Sequence, residues 1–215
     1  MARTLIAVPF LALALSFAIP ANATVIVPLS IEDMAVQSAC VVRGRVVESH
    51  AAWDNDHQRI YTYTTVDVVD AIHAPVGMQK QITVRTIGGE VGKIGMRVAG
   101  VEKFAPSEEV VIFLRKDPVD QSLFQTVGMS QGKFSIEHEA KGRMVAVPSV
   151  EGLAFARPDA NGTLKVGGDA PQANRIPLTE LRDRVVAAIS AKPAQQVPSV
   201  PNVPQQPTTP VTQQR

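Results

Sequence analysis

Cysteine is nearly missing from this chain: among 215 residues there is one, Cys40. A lone thiol excludes an internal disulfide, so the fold must rest on its apolar core. Cys40 stands in Ala39-Cys40-Val41-Val42, a strand-like apolar setting that predicts a buried structural thiol. An excess of either charge is missing as well. The 20 acidic residues face 21 basic ones, and Arg3, one of the latter, lies in the amino-terminal leader. A balanced chain lacks the basic face that displaces counterions from phosphates, which argues against nucleic acid and against a charged membrane surface. Past residue 19 no apolar run approaches the roughly 20 residues of a membrane span.

What is present begins with residues 1–23. Arg3 gives a positive start, residues 5–19 are an almost unbroken apolar run, and Ala21-Asn22-Ala23 offers the small side chains a signal peptidase reads. The pattern predicts cleavage before Thr24 and a secreted or periplasmic mature chain without a transmembrane segment. Residues 192–215 contain no aromatic residue, and Pro198, Pro201, Pro204, Pro207 and Pro210 recur at every third position. With little apolar surface to offset the entropy of ordering, a disordered Pro/Gln-rich tail is expected. Its repeat matches the three-residue turn of polyproline II, which suits a semi-rigid spacer better than a ligand for an aromatic groove.

Residues 24–191 are expected to fold as one domain. Ser30-Ile31-Glu32-Asp33 has the form of a capping box, followed by Ile31, Met34 and Ala35 as the apolar stripe of a short helix. Pro177-Leu178-Thr179-Glu180 opens a second helix, in which Leu178, Leu181, Val185, Ala188 and Ile189 recur at helical spacing. Between them, segments 40–49, 59–71, 81–87, 109–115, 123–127 and 133–137 carry the β-branched and aromatic residues of strands. Residues 61–69 alternate in character, as a strand with one buried face does. Val110-Val111-Ile112-Phe113-Leu114 is apolar on both faces and marks the central strand. Gly44, inside the first long strand, predicts a bulge or bend. Short strands without regular β-α alternation predict an all-β fold: a small OB-like barrel, closed or nearly so, with a helix before it and one after.

The order of Val41-Val42-Arg43-Gly44-Arg45-Val46, Tyr61-Thr62-Tyr63-Thr64-Thr65-Val66-Asp67-Val68, Ile82-Thr83-Val84-Arg85-Thr86-Ile87-Gly88-Gly89, Glu109-Val110-Val111-Ile112-Phe113-Leu114 and Val127-Gly128-Met129-Ser130-Gln131-Gly132-Lys133-Phe134 resembles a group of secreted bacterial proteins. More distantly it is similar to the netrin-type modules of the tissue inhibitors of metalloproteinases. The resemblance covers about residues 38–137 and implies an OB-like barrel. Those inhibitors set an amino-terminal cysteine on the protease zinc, whereas the expected mature chain begins with Thr24. Their inhibitory mechanism does not carry over, nor do their framework disulfides.

The densest polar cluster is Glu48-Ser49-His50-Ala51-Ala52-Trp53-Asp54-Asn55-Asp56-His57. His50, Asp54, Asp56 and His57 could assemble a metal site, and on that reading the chain is a metal-dependent hydrolase. A calcium loop beginning at Asp54 fails, since Arg59 occupies its glycine position and Thr65 its glutamate. Asp, Asn and His are also ordinary residues of a solvated hairpin turn, which is the expectation adopted. Trp53 is a candidate contact anchor, or else folds back over the barrel end.

Residues 88–95 have the glycines of a phosphate loop, but Ile87 and Ile94 stand where the Walker pattern needs glycine and serine or threonine. A flexible loop over one barrel mouth is expected instead, with Gly88, Gly89, Gly92 and Gly95 permitting positive φ. Gly128-Met129-Ser130-Gln131-Gly132 matches Gly-x-Ser-x-Gly in letters only, because strands flank it; a β-turn or bulge is expected. Asn161-Gly162-Thr163 is a glycosylation sequon and, more simply, a turn.

These readings lead to a non-catalytic module that binds an extracytoplasmic protein through Trp53 and residues 88–95, inhibitor-like or protease-associated, with no cofactor. The alternatives are the hydrolase above and an envelope structural protein whose tail reaches the cell wall.

Overall fold

The computed structural model describes residues 23–167 and 174–191; most of the expected leader and all of the expected tail lie outside that range. The chain enters as a short strand, β1 (Thr24–Ile26), and turns into a capped helix, α1 (Ile31–Gln37). Ser30 Oγ accepts from the Asp33 amide at 2.9 Å, and Asp33 Oδ2 accepts from the Ser30 amide at 3.2 Å, so the expected capping box is formed. Ile31, Met34 and Ala35 are buried, as their spacing requires.

Two long strands follow, β2 (Cys40–Trp53) and β3 (Ile60–His73), then β4 (Gln81–Ile87). Residues 88–95, expected as a flexible loop, instead fold into a small hairpin of β5 (Gly89–Val91) and β6 (Ile94–Met96). The remaining strands are β7 (Glu109–Lys116), β8 (Phe124–Thr126), β9 (Lys133–His138), β10 (Met144–Pro148), β11 (Leu153–Pro158), β12 (Leu164–Val166) and β13 (Ile176–Pro177). Helix α2 (Leu178–Ala191) closes the described chain. Ser130, expected in a β-turn or bulge, sits on a short 3-10 turn at Met129–Gly132 that Gly128 enters with φ +69°.

The all-β class holds. Eight strands make one sheet in the order β13-β10-β9-β7-β2-β3-β4-β8, and β1, β11 and β12 make a second. The large sheet curls until β8 pairs back onto β7, through Leu114↔Thr126 and its neighbours. The barrel is nevertheless not closed, because β8 meets β4 through a single parallel bridge, Val84↔Phe124. One bridge cannot zip a seam. Gly44 sits at a register shift between β2 and β3, which bends β2 where the sequence suggested.

Strand β7 explains the two cores. Its neighbours lie on both sides in the sheet, and its side chains alternate between two apolar clusters. Val111 and Phe113 join Ile31, Met34, Leu181 and Val185 beneath the helices. Val110, Ile112 and Leu114 join Val42, Val66 and Val84 in the concave interior, together with Cys40. The thiol is buried as expected, and burial pushes it up to about 11.

Candidate functional site

The β5–β6 hairpin lies flat on the β2–β3 pair because two glycines let it. Gly88 and Gly89 adopt φ +103° and +136°, in the region that favours glycine. A Cβ on Gly89 would stand 2.6 Å from Thr62 Oγ1 and 2.8 Å from Ala51 Cβ, so only hydrogen fits there. The Gly88 amide donates to the Ile60 carbonyl at 2.8 Å, and the Thr62 hydroxyl donates to the Gly88 carbonyl at 2.7 Å. Residues 97–104 then run back without secondary structure, held by the Ser130 amide on the Gly100 carbonyl and by the Thr24 hydroxyl on the Ala99 carbonyl.

Between the hairpin and this returning segment opens a groove of about 1100 Å³. Hydroxyls from three strands line it: Ser49 of β2, Thr62 and Thr64 of β3, and Thr86 of β4. Ser49 and Thr64 hydrogen-bond each other at 2.8 Å. The rim charges are matched, Arg97 with Glu90 at 3.7 Å and Lys103 with Glu151 at 3.9 Å, both pairs in solvent.

One wall holds a carboxyl that is not matched. Glu102 lines the groove with only 7% of its surface exposed. Burial pushes its carboxyl above the usual range, opposed in part by the Lys133 charge. Thr126 and Glu102 do not form a hydrogen bond of good geometry, for Thr126 Oγ1 has no partner among the described residues. Lys133, itself buried, is committed elsewhere. Its ammonium donates to the Lys103 carbonyl at 2.6 Å and to the two Glu108 oxygens at 2.7 and 2.9 Å, and stands 5.2 Å over the Phe104 ring. Burial alone would raise Glu108, but the Ala105 amide, Lys133 and the Ser135 hydroxyl hold it below the usual range.

Of the residues singled out in the sequence, Gly88 and Gly89 line the groove, while Gly92 and Gly95 belong to the hairpin away from it. Trp53 ends β2, half-buried, with its ring stacked on His57 at 6.2 Å and outside the groove lining. His50 stacks on Tyr63, its cross-strand partner, at 5.4 Å. Asp54 closes the β2–β3 turn by accepting from the Gln58 and Arg59 amides at 2.7 and 3.1 Å, and Asp56 and His57 are exposed. The structure does not bring His50, Asp54, Asp56 and His57 together as a metal centre. Among the described residues no three His, Cys, Asp or Glu side chains are grouped to hold an ion.

Ser130 is buried, and its hydroxyl has no hydrogen-bond partner among the described residues, so nothing there activates it as a nucleophile. Asn161 and Thr163 lie in the β11–β12 turn, where Asp159 Oδ1 accepts from both of their amides. Glu102, Lys133 and Glu108 escaped the sequence reading. Glu102 stands beside Lys103 and Glu108 beside Glu109, as surface charges commonly do, and only the fold brings them to Lys133.

Comparison with protein-family models, with curated proteins and with solved structures finds no match for this chain.

Proposed function

We propose that the chain is a non-catalytic binding module for an extracytoplasmic protein and that the groove under the β5–β6 hairpin is its contact surface. The strand order supports an OB-like reading of the framework. Around the curled sheet β2, β3, β4, β8 and β7 follow one another, and β4 and β8 run parallel. OB folds are partly open Greek-key barrels that bind ligands across their second and third strands. On this reading those strands are β3 and β4, and the groove opens over Thr62, Thr64 and Thr86 of these two strands. That coincidence carries the proposal.

The near balance of 21 basic against 20 acidic residues favours a protein partner over nucleic acid. The leader pattern supports a secreted or periplasmic location. The resemblance to netrin-type modules supports an inhibitor-like or protease-associated role, as a likeness of fold only.

The test is capture from the organism's own extracytoplasmic fraction on immobilised residues 24–215, read by mass spectrometry. One protein should be retained stoichiometrically by the natural sequence and lost on Gly89→Val, whose side chain would displace the hairpin from Thr62 and Ala51. Val119→Ser, at an exposed position outside the groove, should retain it. Equal retention by a folded Gly89→Val chain, with folding checked by thermal melting, would discard the groove as the contact surface.

A further inference from the structure

We infer that the groove recognises its partner through one basic side chain, lysine or arginine, that reaches the Glu102 carboxylate; the inference rests on the groove being the binding surface. Three carboxylates belong to the lining, and two of them already have partners, Glu90 in Arg97 and Glu151 in Lys103. Glu102 alone has no ion-pair partner among the described residues, and it is more than nine-tenths buried. Lys133, the buried cation whose charge reaches Glu102, does not line the groove and has all three N–H groups engaged by Lys103 and Glu108. A buried carboxyl without an ion-pair partner is costly to ionise, and a cation brought by a ligand reduces that cost.

The shape of the site fits such a guest. The hydroxyls of Ser49 and Thr62 in its lining offer acceptors to the remaining N–H groups of an ammonium or guanidinium. The matched rim pairs leave the walls near neutral, so the entering charge meets no net repulsion. A neutral side chain would leave Glu102 as it is and gain little. An acidic one would set two carboxylates together in a low-dielectric site.

Binding a cation favours the ionised carboxyl, so affinity should rise with pH through the Glu102 titration and then level off. The charged groups around Glu102 are Lys133, Glu108, Lys103, Glu151, Arg97 and Glu90, and no histidine lines the groove. The free amino group of Thr24 in residues 24–215 lies at the groove edge and titrates in the same sense, so the rise must vanish in Glu102→Gln to belong to Glu102.

Three acetylated, amidated peptides test this on residues 24–215 by NMR: Ser-Gly-Arg-Gly-Ser, the same peptide with citrulline, and the same with glutamate. The arginine peptide should shift the amides of Thr64, Thr86 and Glu102 and bind at least about tenfold more tightly than the neutral citrulline peptide. Glu102→Gln, checked for folding by its amide spectrum, should erase that preference. Equal binding of citrulline, an undiminished preference in Glu102→Gln, an affinity that falls with rising pH, or no arginine-peptide binding at millimolar concentration would each overturn the inference. A captured protein lost on Gly89→Val but kept by Glu102→Gln would preserve the groove and discard the basic anchor.

Discussion

Arg184 grips Glu32 with two nitrogens, Nε on one carboxylate oxygen at 2.6 Å and Nη2 on the other at 2.9 Å. The pair ties α2 to α1, elements at opposite ends of the described chain. Both side chains are more than a third exposed, so solvent screens the pair. Arg184→Ala should cost only about 0.5–1 kcal/mol in urea denaturation, and less in high salt. The Arg184 hydrogen bond holds the Glu32 carboxyl below its usual range. The contribution is therefore present above the ordinary carboxylate pKa and fades as the pH falls through the lowered one. An Arg184→Ala penalty that grew on acidification would refute this.

Asp117 should be far more demanding. It is fully buried, and its Oδ1 accepts from the Val119 and Asp120 amides and from Arg85, while Oδ2 accepts from Gln125. Burial alone would raise this carboxyl, but the Asp120 and Val119 amides, Arg85 and Gln125 together hold it below the usual range. Asp117→Ala strands Arg85, which also lies 4.6 Å over the Tyr61 ring, and should cost about 3–5 kcal/mol. In the natural sequence the stabilisation is full above the ordinary aspartate pKa and is lost on acidification. A cost below about 1 kcal/mol would show that the turn does not depend on the carboxylate.

At Gly44 the question is space. A Cβ there would stand 2.5 Å from Val66 Cγ1 and 2.6 Å from the Asp67 carbonyl oxygen. Gly44→Ala should destabilise by about 1–3 kcal/mol, since the obstacle includes backbone. Val119→Ala, at an exposed site, should stay within about 0.5 kcal/mol. Matching denaturation midpoints for the two would refute the steric account.

Cys40 should be chemically silent. Its thiol is buried and pushed up to about 11, so the folded chain should resist iodoacetamide at mildly alkaline pH and react only once denaturant unfolds it. The raised value also means that stability should fall as the pH climbs from the ordinary thiol pKa toward 11. Mass spectrometry of the alkylated chain reads the first effect, and melting across alkaline pH reads the second. Rapid labelling of the folded protein would contradict both.

What the sequence disclosed was local or periodic. Ser30 and Asp33 are three residues apart, so their reciprocal bonds could be read from spacing. The unbroken apolar run at 110–114 marked β7 because a strand with packed faces on both sides has no polar alternation. The β5–β6 hairpin was missed for a physical reason. Glycines in a sequence signal freedom, whereas Gly89 is a glycine because Thr62 and Ala51 leave no room for anything else. The short pairings of β1 with β11 and of β10 with β13 join segments far apart in the chain and carry no local sign. The same holds for Lys133 and Glu108, which meet only after β7 and β9 have paired.

Strand β1 has a practical consequence. Thr24 is bound at its amide by the Gly152 carbonyl and at its hydroxyl by the Ala99 carbonyl, and Ala23 before it already belongs to the groove wall. A tag or fusion joined at that end would issue straight into the proposed contact surface and could mask it. No residue of α2 lines the groove, so attachment to a resin or a biosensor chip belongs at the carboxyl end.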